Sequence, residues 1–283
     1  MIMKKIIIGT AGWRMEYGNS HTILSKEEIL ALIEYLKSRN IFSFDTASNY
    51  GDVEKILFAV SGKKTLIDTK LSSFSNLDEF QILLNKKFEF PIQCLYFHDP
   101  EIFKKFSSEN IKVFIKSIRQ NGFSAGFSIY NKDELLENFQ FFKTADNKVQ
   151  LPAHIFDLTA INEVLKLKLN TENVNFRSFF ARGLFFLSSD EIEGILGNKY
   201  YEVRMGFEEV YKMPFTPENA QSLSYGLINY LTNLNFGCVV GLNSIKEVNS
   251  FIKKCEYEKK RNIDWKRIIS CSKKLIDIQE INL

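Results

Sequence analysis

Three consecutive apolar segments of the chain each carry an ionisable side chain at or next to their last position. Asp45 is next to last in IFSFDT, Lys70 ends TLIDTK and His98 ends QCLYFH, while Tyr50 follows five positions after Asp45. A carboxylate, an ammonium, an imidazole and a phenol are groups that general acid–base chemistry uses. If the three segments are neighbouring strands, which lie about 4.8 Å apart, their terminal side chains converge in one pocket. The four residues therefore form one candidate site.

These four side chains suit proton donation to a carbonyl oxygen. A phenol in water has a pKa of about 10, and the ammonium of Lys70 is expected to lower the pKa of Tyr50. Asp45 would keep Lys70 protonated and in place, and His98 would orient the carbonyl oxygen with a hydrogen bond. Because no side chain supplies a hydride, such a reduction requires a cofactor.

The elements that must position these residues alternate between strand-like runs and stretches with helical spacing of apolar residues. The predicted strands occupy residues 4–9, 41–46, 65–70, 93–98, 124–128, 148–151, 175–180 and 237–241. Helical spacing is clear over residues 29–36, 53–60 and 111–118. Eight strand–helix units in 283 residues predict an α/β fold, a (β/α)8 TIM barrel that forms a single domain over residues 1–283.

Two regions add helices to the predicted barrel. Residues 181–236 have room for extra helices between strands seven and eight, and residues 264–279 are predicted to form a C-terminal helix. A doubly wound sheet is the rival fold, but its phosphate turn needs a third glycine that GTAGWR lacks. Two helix starts have capping-box spacing: Ser25 with Glu28, and Ser244 with Glu247.

Composition excludes several classes of protein. With 45% hydrophobic and 25% charged residues, a chain of this length can bury a large core, which excludes disorder. A net charge of +3 without a clustered basic stripe argues against nucleic-acid binding. We find no signal peptide or membrane span and expect a cytoplasmic protein. Four widely spaced cysteines predict reduced, mostly buried thiols and neither disulfides nor a metal site: Cys94, Cys238, Cys255 and Cys271.

A second carboxylate is predicted to lie inside the barrel. Because side chains alternate along a strand, Ser43, Asp68 and Tyr96 share the inward face with the candidate site. An unpaired charge in the interior is costly, so we expect Asp68 to contact Ser43, Tyr96 or Lys70. We interpret the role of Asp68 as structural.

The motifs around the candidate site resemble those of the aldo-keto reductases, in particular compact bacterial members, over nearly the whole chain. FDTASNYGDVE is similar to the family pattern D-T-A-x-x-Y-G-x-x-E, and IIIGTAGW followed by YG is similar to the family's opening. LIDTK and YFHDP match the strands that carry the family's lysine and histidine. The resemblance implies an NAD(P)H-dependent reductase of small aldehydes or ketones. Its catalytic residues would be Asp45, Tyr50, Lys70 and His98, with Tyr50 as the proton donor.

The same resemblance implies the position of the nicotinamide. Ser128 and Gln150 would contact its carboxamide, and Ile129 stands where the family has an asparagine. Arg177 would stack its guanidinium plane on the ring, where many members have a tyrosine.

The remainder of the cofactor would lie along two further segments. Residues 178–184 would wrap the phosphates, with Ser178, Gly183 and Leu184 among the contacts. The loop after strand eight would hold the adenosine phosphate through Gly241, Asn243 and Glu247. A carboxylate at position 247 disfavours a ribose 2′-phosphate, whereas the neighbouring Lys246 favours one. We expect NADP(H) rather than NAD(H), with the preference left open.

In the resembling family the loop after the first strand borders the substrate. Trp13 and Tyr17 would form an apolar wall, and Arg14 would meet a carboxylate or phosphate; the alternative is that all three are surface loop residues. His21 and His154 are not at strand ends with partners, and we expect no catalytic part for them.

The compact loops and the opening motif resemble those of bacterial family members associated with surface-sugar pathways. This resemblance suggests a keto-sugar substrate. Two other functions compete with the reductase. One is a regulatory barrel that binds the cofactor with little turnover, motivated by Ile129 and Glu247. The other is a Schiff-base lyase using Lys70, which Asp45 opposes by keeping the amine protonated. The sequence leaves the oligomeric state open.

Overall fold

Eight parallel strands close into a barrel in chain order in the computed structural model, which describes residues 2–18, 23–87, 91–143 and 146–276. The strands are β1 (Ile6–Gly9), β2 (Ser43–Asp45), β3 (Leu66–Leu71), β4 (Ile92–Phe97), β5 (Ser124–Ser128), β6 (Asn147–Pro152), β7 (Val174–Arg177) and β8 (Gly237–Gly241). Strand β8 pairs with β1, and every neighbouring pair is parallel. The predicted (β/α)8 barrel is confirmed.

Helices surround the barrel and fill the predicted insertion. They are α1 (Lys26–Ser38), α2 (Val53–Val60), α3 (Leu77–Asn85), α4 (Ile102–Lys105), α5 (Ser108–Gln120), α6 (Lys132–Glu137), α7 (Phe139–Phe142), α8 (Thr159–Lys166), α9 (Ser189–Leu196), α10 (Tyr200–Tyr211), α11 (Pro217–Asn233), α12 (Ile245–Glu258) and α13 (Trp265–Cys271). Helices α9 to α11 confirm the predicted additions between β7 and β8. Within the described ranges, no helix has the length and apolar character needed to cross a membrane.

Several predicted boundaries differ from the structure, and three of the differences have a local cause. The first strand begins at Ile6 because Ile2–Lys5 forms a 3₁₀ helix. Strand β7 ends at Arg177 because Ser178 adopts a left-handed backbone with φ of 65°. The C-terminal helix ends at Cys271, since Ser272 is extended. His21 lies outside the described residues.

Phenylalanine fills the layer between the strands and the helices. Phe97 and Phe127 on neighbouring strands have ring centroids 5.0 Å apart, and Phe80 and Phe114 join α3 to α5 at 4.7 Å. Phenylalanine side chains therefore supply much of the core in this layer. The cysteines are free thiols as predicted, with Cys94, Cys238 and Cys255 buried and Cys271 exposed.

Serine caps begin both helices for which a capping box was predicted. At α1 the box is complete: Ser25 Oγ accepts the Glu28 N–H at 3.1 Å, and the Glu28 carboxylate accepts the Ser25 N–H at 2.7 Å. At α12 Ser244 Oγ accepts the Glu247 N–H, but the Glu247 carboxylate accepts the N–H of Asn243 instead. The second box is therefore incomplete, because Glu247 reaches one residue further back.

Asp68 lies inside the barrel as predicted, but its partners are different. Lys148 Nζ on β6 lies 3.6 Å from Asp68 Oδ1. Asn175 Nδ2 on β7 donates to Asp68 Oδ2 at 3.4 Å and to Tyr96 Oη at 3.0 Å. Burial raises the pKa of Asp68 to about 6, although Lys148 opposes this shift. The partners come from the far strands because side chains of the barrel interior meet across its axis.

The pKa of Asp68 makes a prediction about stability. The pKa of Asp68 is about 6 in the folded protein and 3.8 in the unfolded chain. Asp68 therefore contributes stability that is fully present below pH 3.8 and is lost as the pH rises through about 6. Asp68→Asn removes this loss. The stability of the variant relative to wild type should therefore increase by up to about 3 kcal/mol between pH 4 and pH 7.

Urea denaturation at the two pH values measures this difference. The matched control is Asp190→Asn, which makes the same substitution at an exposed aspartate in the first turn of α9. Equal pH dependence of the Asp68→Asn variant and wild type would contradict the prediction.

Candidate active site

A cavity of about 1090 Å³ opens at the carboxyl ends of the strands. All four predicted catalytic residues line it: Asp45, Tyr50, Lys70 and His98. So do most residues predicted to contact the cofactor: Ser128, Gln150, Arg177, Ser178, Gly183, Gly241, Asn243 and Glu247. Of the loop residues predicted to border the substrate, Tyr17 lines it.

A buried ion pair occupies the floor of the cavity. The ammonium of Lys70 donates to one oxygen of Asp45 and, at 3.2 Å, to the carbonyl oxygen of Thr46. Gln150 Nε2 donates to the other Asp45 oxygen at 2.8 Å. Burial lowers the pKa of Lys70, but Asp45 and Tyr50 more than offset this, so the pKa is raised overall. A protonated amine is a poor nucleophile, which argues against the Schiff-base alternative.

Tyr50 is held above this pair by the loop that follows β2. Both the N–H and the hydroxyl of Ser48 donate to the carbonyl oxygen of Lys70, at 3.2 and 3.0 Å, which ties the loop to β3. The Lys70 ammonium lies 5.6 Å from the centroid of the Tyr50 ring. The Tyr50 and His98 rings are 6.0 Å apart and nearly perpendicular.

The pKa of Tyr50 shifts in the opposite direction from the prediction. Burial raises the pKa of Tyr50, and the opposing charge of Lys70 does not reverse that shift. The expected lowering by Lys70 is wrong because loss of hydration outweighs the attraction of a cation already paired with Asp45. The phenol consequently stays protonated at neutral pH, as a proton donor must.

His98 lies one residue beyond the end of β4. Its burial and the nearby charge of Lys70 lower the pKa of His98 to about 4. The imidazole is therefore neutral at physiological pH and has one N–H to donate. Among the described residues, no group of three or more histidine, cysteine, aspartate or glutamate side chains could hold a metal ion.

Gln150 lines the cavity and carries an unsatisfied polar atom. Its side chain is fully buried, its Nε2 donates to Asp45, and its Oε1 accepts no hydrogen bond from the described residues. Ser128 is its register partner on β5 and also lines the cavity. A primary carboxamide has an N–H for Gln150 Oε1 and an oxygen for the Ser128 hydroxyl, so these residues fit a nicotinamide.

Beyond β7 the backbone forms a concave turn that lines the same cavity. Positive φ angles occur at Ser178 (65°), Ala181 (50°), Arg182 (56°) and Gly183 (97°). The N–H groups of Ala181 and Gly183 close this turn by donating to the carbonyl oxygens of Ser178 and Phe180, at 2.9 and 3.0 Å. The predicted contact by Leu184 is not supported, because its side chain is buried in the core and does not line the cavity.

The loop after β1 crosses to this turn. Gly18 has a φ of 57°, and a Cβ atom there would lie 2.0 Å from the carbonyl oxygen of Arg182. The Arg182 guanidinium carbon lies 5.9 Å from the centroid of the Tyr17 ring. Because β8 lies between β7 and β1, this contact bridges the cavity above the end of β8.

Trp13 and Arg14, which were predicted to contact the substrate, are not among the residues that line the cavity. Trp13 is fully buried and donates its indole N–H to the carbonyl oxygen of Leu242 at 2.9 Å. Arg14 forms an ion pair with Asp52 at 2.6 Å and donates to the carbonyl oxygen of Leu24. Both side chains fix loops instead. His154 is buried and also lies outside the cavity lining.

Several cavity residues were missed by the sequence reasoning. On α12, Ser250 and Lys254 follow Lys246 at four-residue spacing and line the cavity with it, which places all three on one helix face. That spacing was a usable signal. Tyr130 and Tyr225 also line the cavity, but neither belongs to a recognisable motif.

No protein-family model matches the chain, and no curated protein matches it. Solved structures do. A putative aldo-keto reductase from Pseudomonas aeruginosa is 11% identical, with a TM-score of 0.63 over 90% of this chain and 91% of that one. An aldo-keto reductase from Brucella melitensis is 14% identical, with a TM-score of 0.54 over 94% and 92%. A thermostable aldo-keto reductase crystallised with the inhibitor epalrestat is 16% identical, with a TM-score of 0.57 over 94% of each chain. The chain has the fold of the aldo-keto reductases.

Proposed function

We propose that the protein is an NADPH-dependent reductase that converts a small aldehyde or ketone, such as a keto-sugar, to an alcohol. The observation that carries the proposal is one cavity that contains the buried Lys70–Asp45 pair, the phenol of Tyr50 and the unsatisfied Oε1 of Gln150. When bound, the cofactor supplies the hydride that no side chain can supply.

The side chains supply and control the proton. Tyr50 donates its phenolic proton to the carbonyl oxygen as negative charge develops there, and the Lys70 ammonium stabilises the resulting phenolate. Asp45 holds the ammonium in place. The neutral imidazole of His98 donates its N–H to the same carbonyl oxygen and so orients the substrate.

The adenosine end of the cavity favours a cofactor with a 2′-phosphate. Lys246 and Lys254 both line this end. The carboxylate of Glu247, which could repel a phosphate, accepts the N–H of Asn243 at 2.9 Å and is directed to the backbone. The balance of charge available to a ligand is therefore positive, which supports NADP(H) over NAD(H).

Tyr50→Phe tests the proton donor. We expect the rate of NADPH-dependent reduction of a generic aldehyde to fall by about 100-fold or more, because general acid catalysis is lost. The affinity for NADPH should be nearly unchanged. The measurements are loss of nicotinamide absorbance and fluorescence titration.

Tyr35→Phe is the matched control, since its hydroxyl donates to Asn249 and Tyr35 does not line the cavity. Wild-type rates in Tyr50→Phe would refute the role of the phenol. Tight cofactor binding without turnover of any carbonyl by wild type would support a regulatory barrel instead.

Lys246→Gln tests the cofactor preference. The dissociation constant for NADPH should rise by roughly tenfold, because one cation at the 2′-phosphate is lost, while that for NADH should change little. Tighter binding of NADH than NADPH by wild type would overturn the proposed preference.

The protonation of His98 can be followed by NMR, since the chain has 3 histidines. We expect the His98 imidazole to titrate with a midpoint of about 4 and to stay neutral at pH 6. Because this folded pKa lies below the ordinary value of 6.5, His98 contributes stability that is lost as pH falls from 6.5 toward 4. His98→Gln assigns the signal, and a midpoint above 6 would contradict the geometry.

A further inference from the structure

We propose that Arg177 makes the cavity discriminate between the redox states of its cofactor, so that NADPH binds more tightly than NADP⁺. This inference rests on the proposed function. It concerns the charge of the nicotinamide ring, which is neutral when reduced and cationic when oxidised.

The position of Arg177 follows from two anchors on either side of β6. Its Nη1 donates to Ser178 Oγ at 3.2 Å, and its Nη2 donates to the carbonyl oxygen of Ile129 at 3.1 Å. Arg177 pairs in register with Pro152, just beyond Gln150. The guanidinium thus extends from the end of β7 to the end of β5, across the strand that carries the unsatisfied Gln150 Oε1.

A nicotinamide whose carboxamide meets Gln150 must therefore lie beside this guanidinium. The carboxamide is bonded directly to the ring, so the ring lies within a few ångströms of the Gln150 side chain. Its reacting carbon must also come within about 3.5 Å of a carbonyl whose oxygen meets Tyr50. Both requirements direct the ring to the part of the cavity that Gln150, Tyr50 and Arg177 line.

The charge of Arg177 is not neutralised by a carboxylate. Among the described residues, no ion pair involves Arg177, and its recorded hydrogen bonds use two of its five N–H groups. Burial raises the pKa of Glu134, although Arg177 opposes this shift, and the Glu134 carboxylate accepts the N–H of Tyr130 at 2.7 Å. By contrast, the charge of Lys70 is balanced by Asp45.

An unbalanced cation in a partly buried cavity disfavours a second cation beside it and leaves a neutral ring unaffected. The oxidised cofactor should consequently bind less tightly than the reduced one. Such discrimination promotes release of the spent cofactor after carbonyl reduction and limits product inhibition.

Fluorescence and calorimetric titrations with NADPH and NADP⁺ test this inference on wild type, Arg177→Gln and Arg177→Lys. We expect wild type to bind NADPH at least about tenfold more tightly than NADP⁺, and Arg177→Gln to lower this ratio roughly tenfold. Arg177→Lys keeps the charge and should keep most of the ratio. Lys254→Gln removes a cation from the phosphate end, where the two redox forms are identical, and should weaken both equally.

Equal affinities of wild type for the two forms would overturn the inference even if Arg177→Gln failed to fold. An unchanged ratio in a folded Arg177→Gln variant would also overturn it. In both cases the proposed reductase would stand, provided that the enzyme still oxidised NADPH with an aldehyde. If wild type bound neither form, the proposed function itself would fail and the inference would fail with it.

Discussion

The candidate site depends on the buried ion pair between Lys70 and Asp45. Removing two charges from water is costly, and the attraction between them compensates only when the remaining polar atoms are also satisfied. Here the Thr46 carbonyl and the Gln150 amide complete the pair. The pair fixes the side chain of Gln150 in turn, because a carboxylate can only accept hydrogen bonds. Its Nε2 must face Asp45, and its Oε1 must face away from it.

Burial, more than charge, determines the protonation of the neighbouring groups. It is the largest cause of the raised pKa values of Tyr50 and Asp68 and of the lowered pKa of His98. All three shifts favour the neutral form of the group. At neutral pH, Tyr50 and His98 are thus uncharged hydrogen-bond donors beside a pair whose charges cancel. Within the described part of the chain, Arg177 lies in this part of the cavity without an ion-pair partner.

The fold and the strand-end residues could be predicted because both follow from periodicity and position. To predict that Asp45, Lys70 and His98 lie together, it was sufficient to locate the ends of three parallel strands. Contacts that depend on loop paths and on the barrel's closure could not be predicted this way. Trp13 turns inward because its indole N–H reaches the β8 loop, and Asp68 meets Lys148 from a strand three places along the barrel. Neither contact has a local signal.

Asp68 Oδ1 and Gln150 Oε1 are both buried and accept no hydrogen bond from the described residues, but the reasons differ. Asp68 Oδ1 lies in the interior, below the cavity, with Lys148 at 3.6 Å, so an ion pair accounts for it. Gln150 lines the cavity, and its Oε1 has no hydrogen-bond partner among the described residues. A buried carbonyl oxygen without a partner costs about 1 to 3 kcal/mol, which a ligand N–H would recover. The unsatisfied oxygen of Gln150 thus has no partner within the described residues and supports the proposed ligand, whereas that of Asp68 belongs to the barrel's own packing.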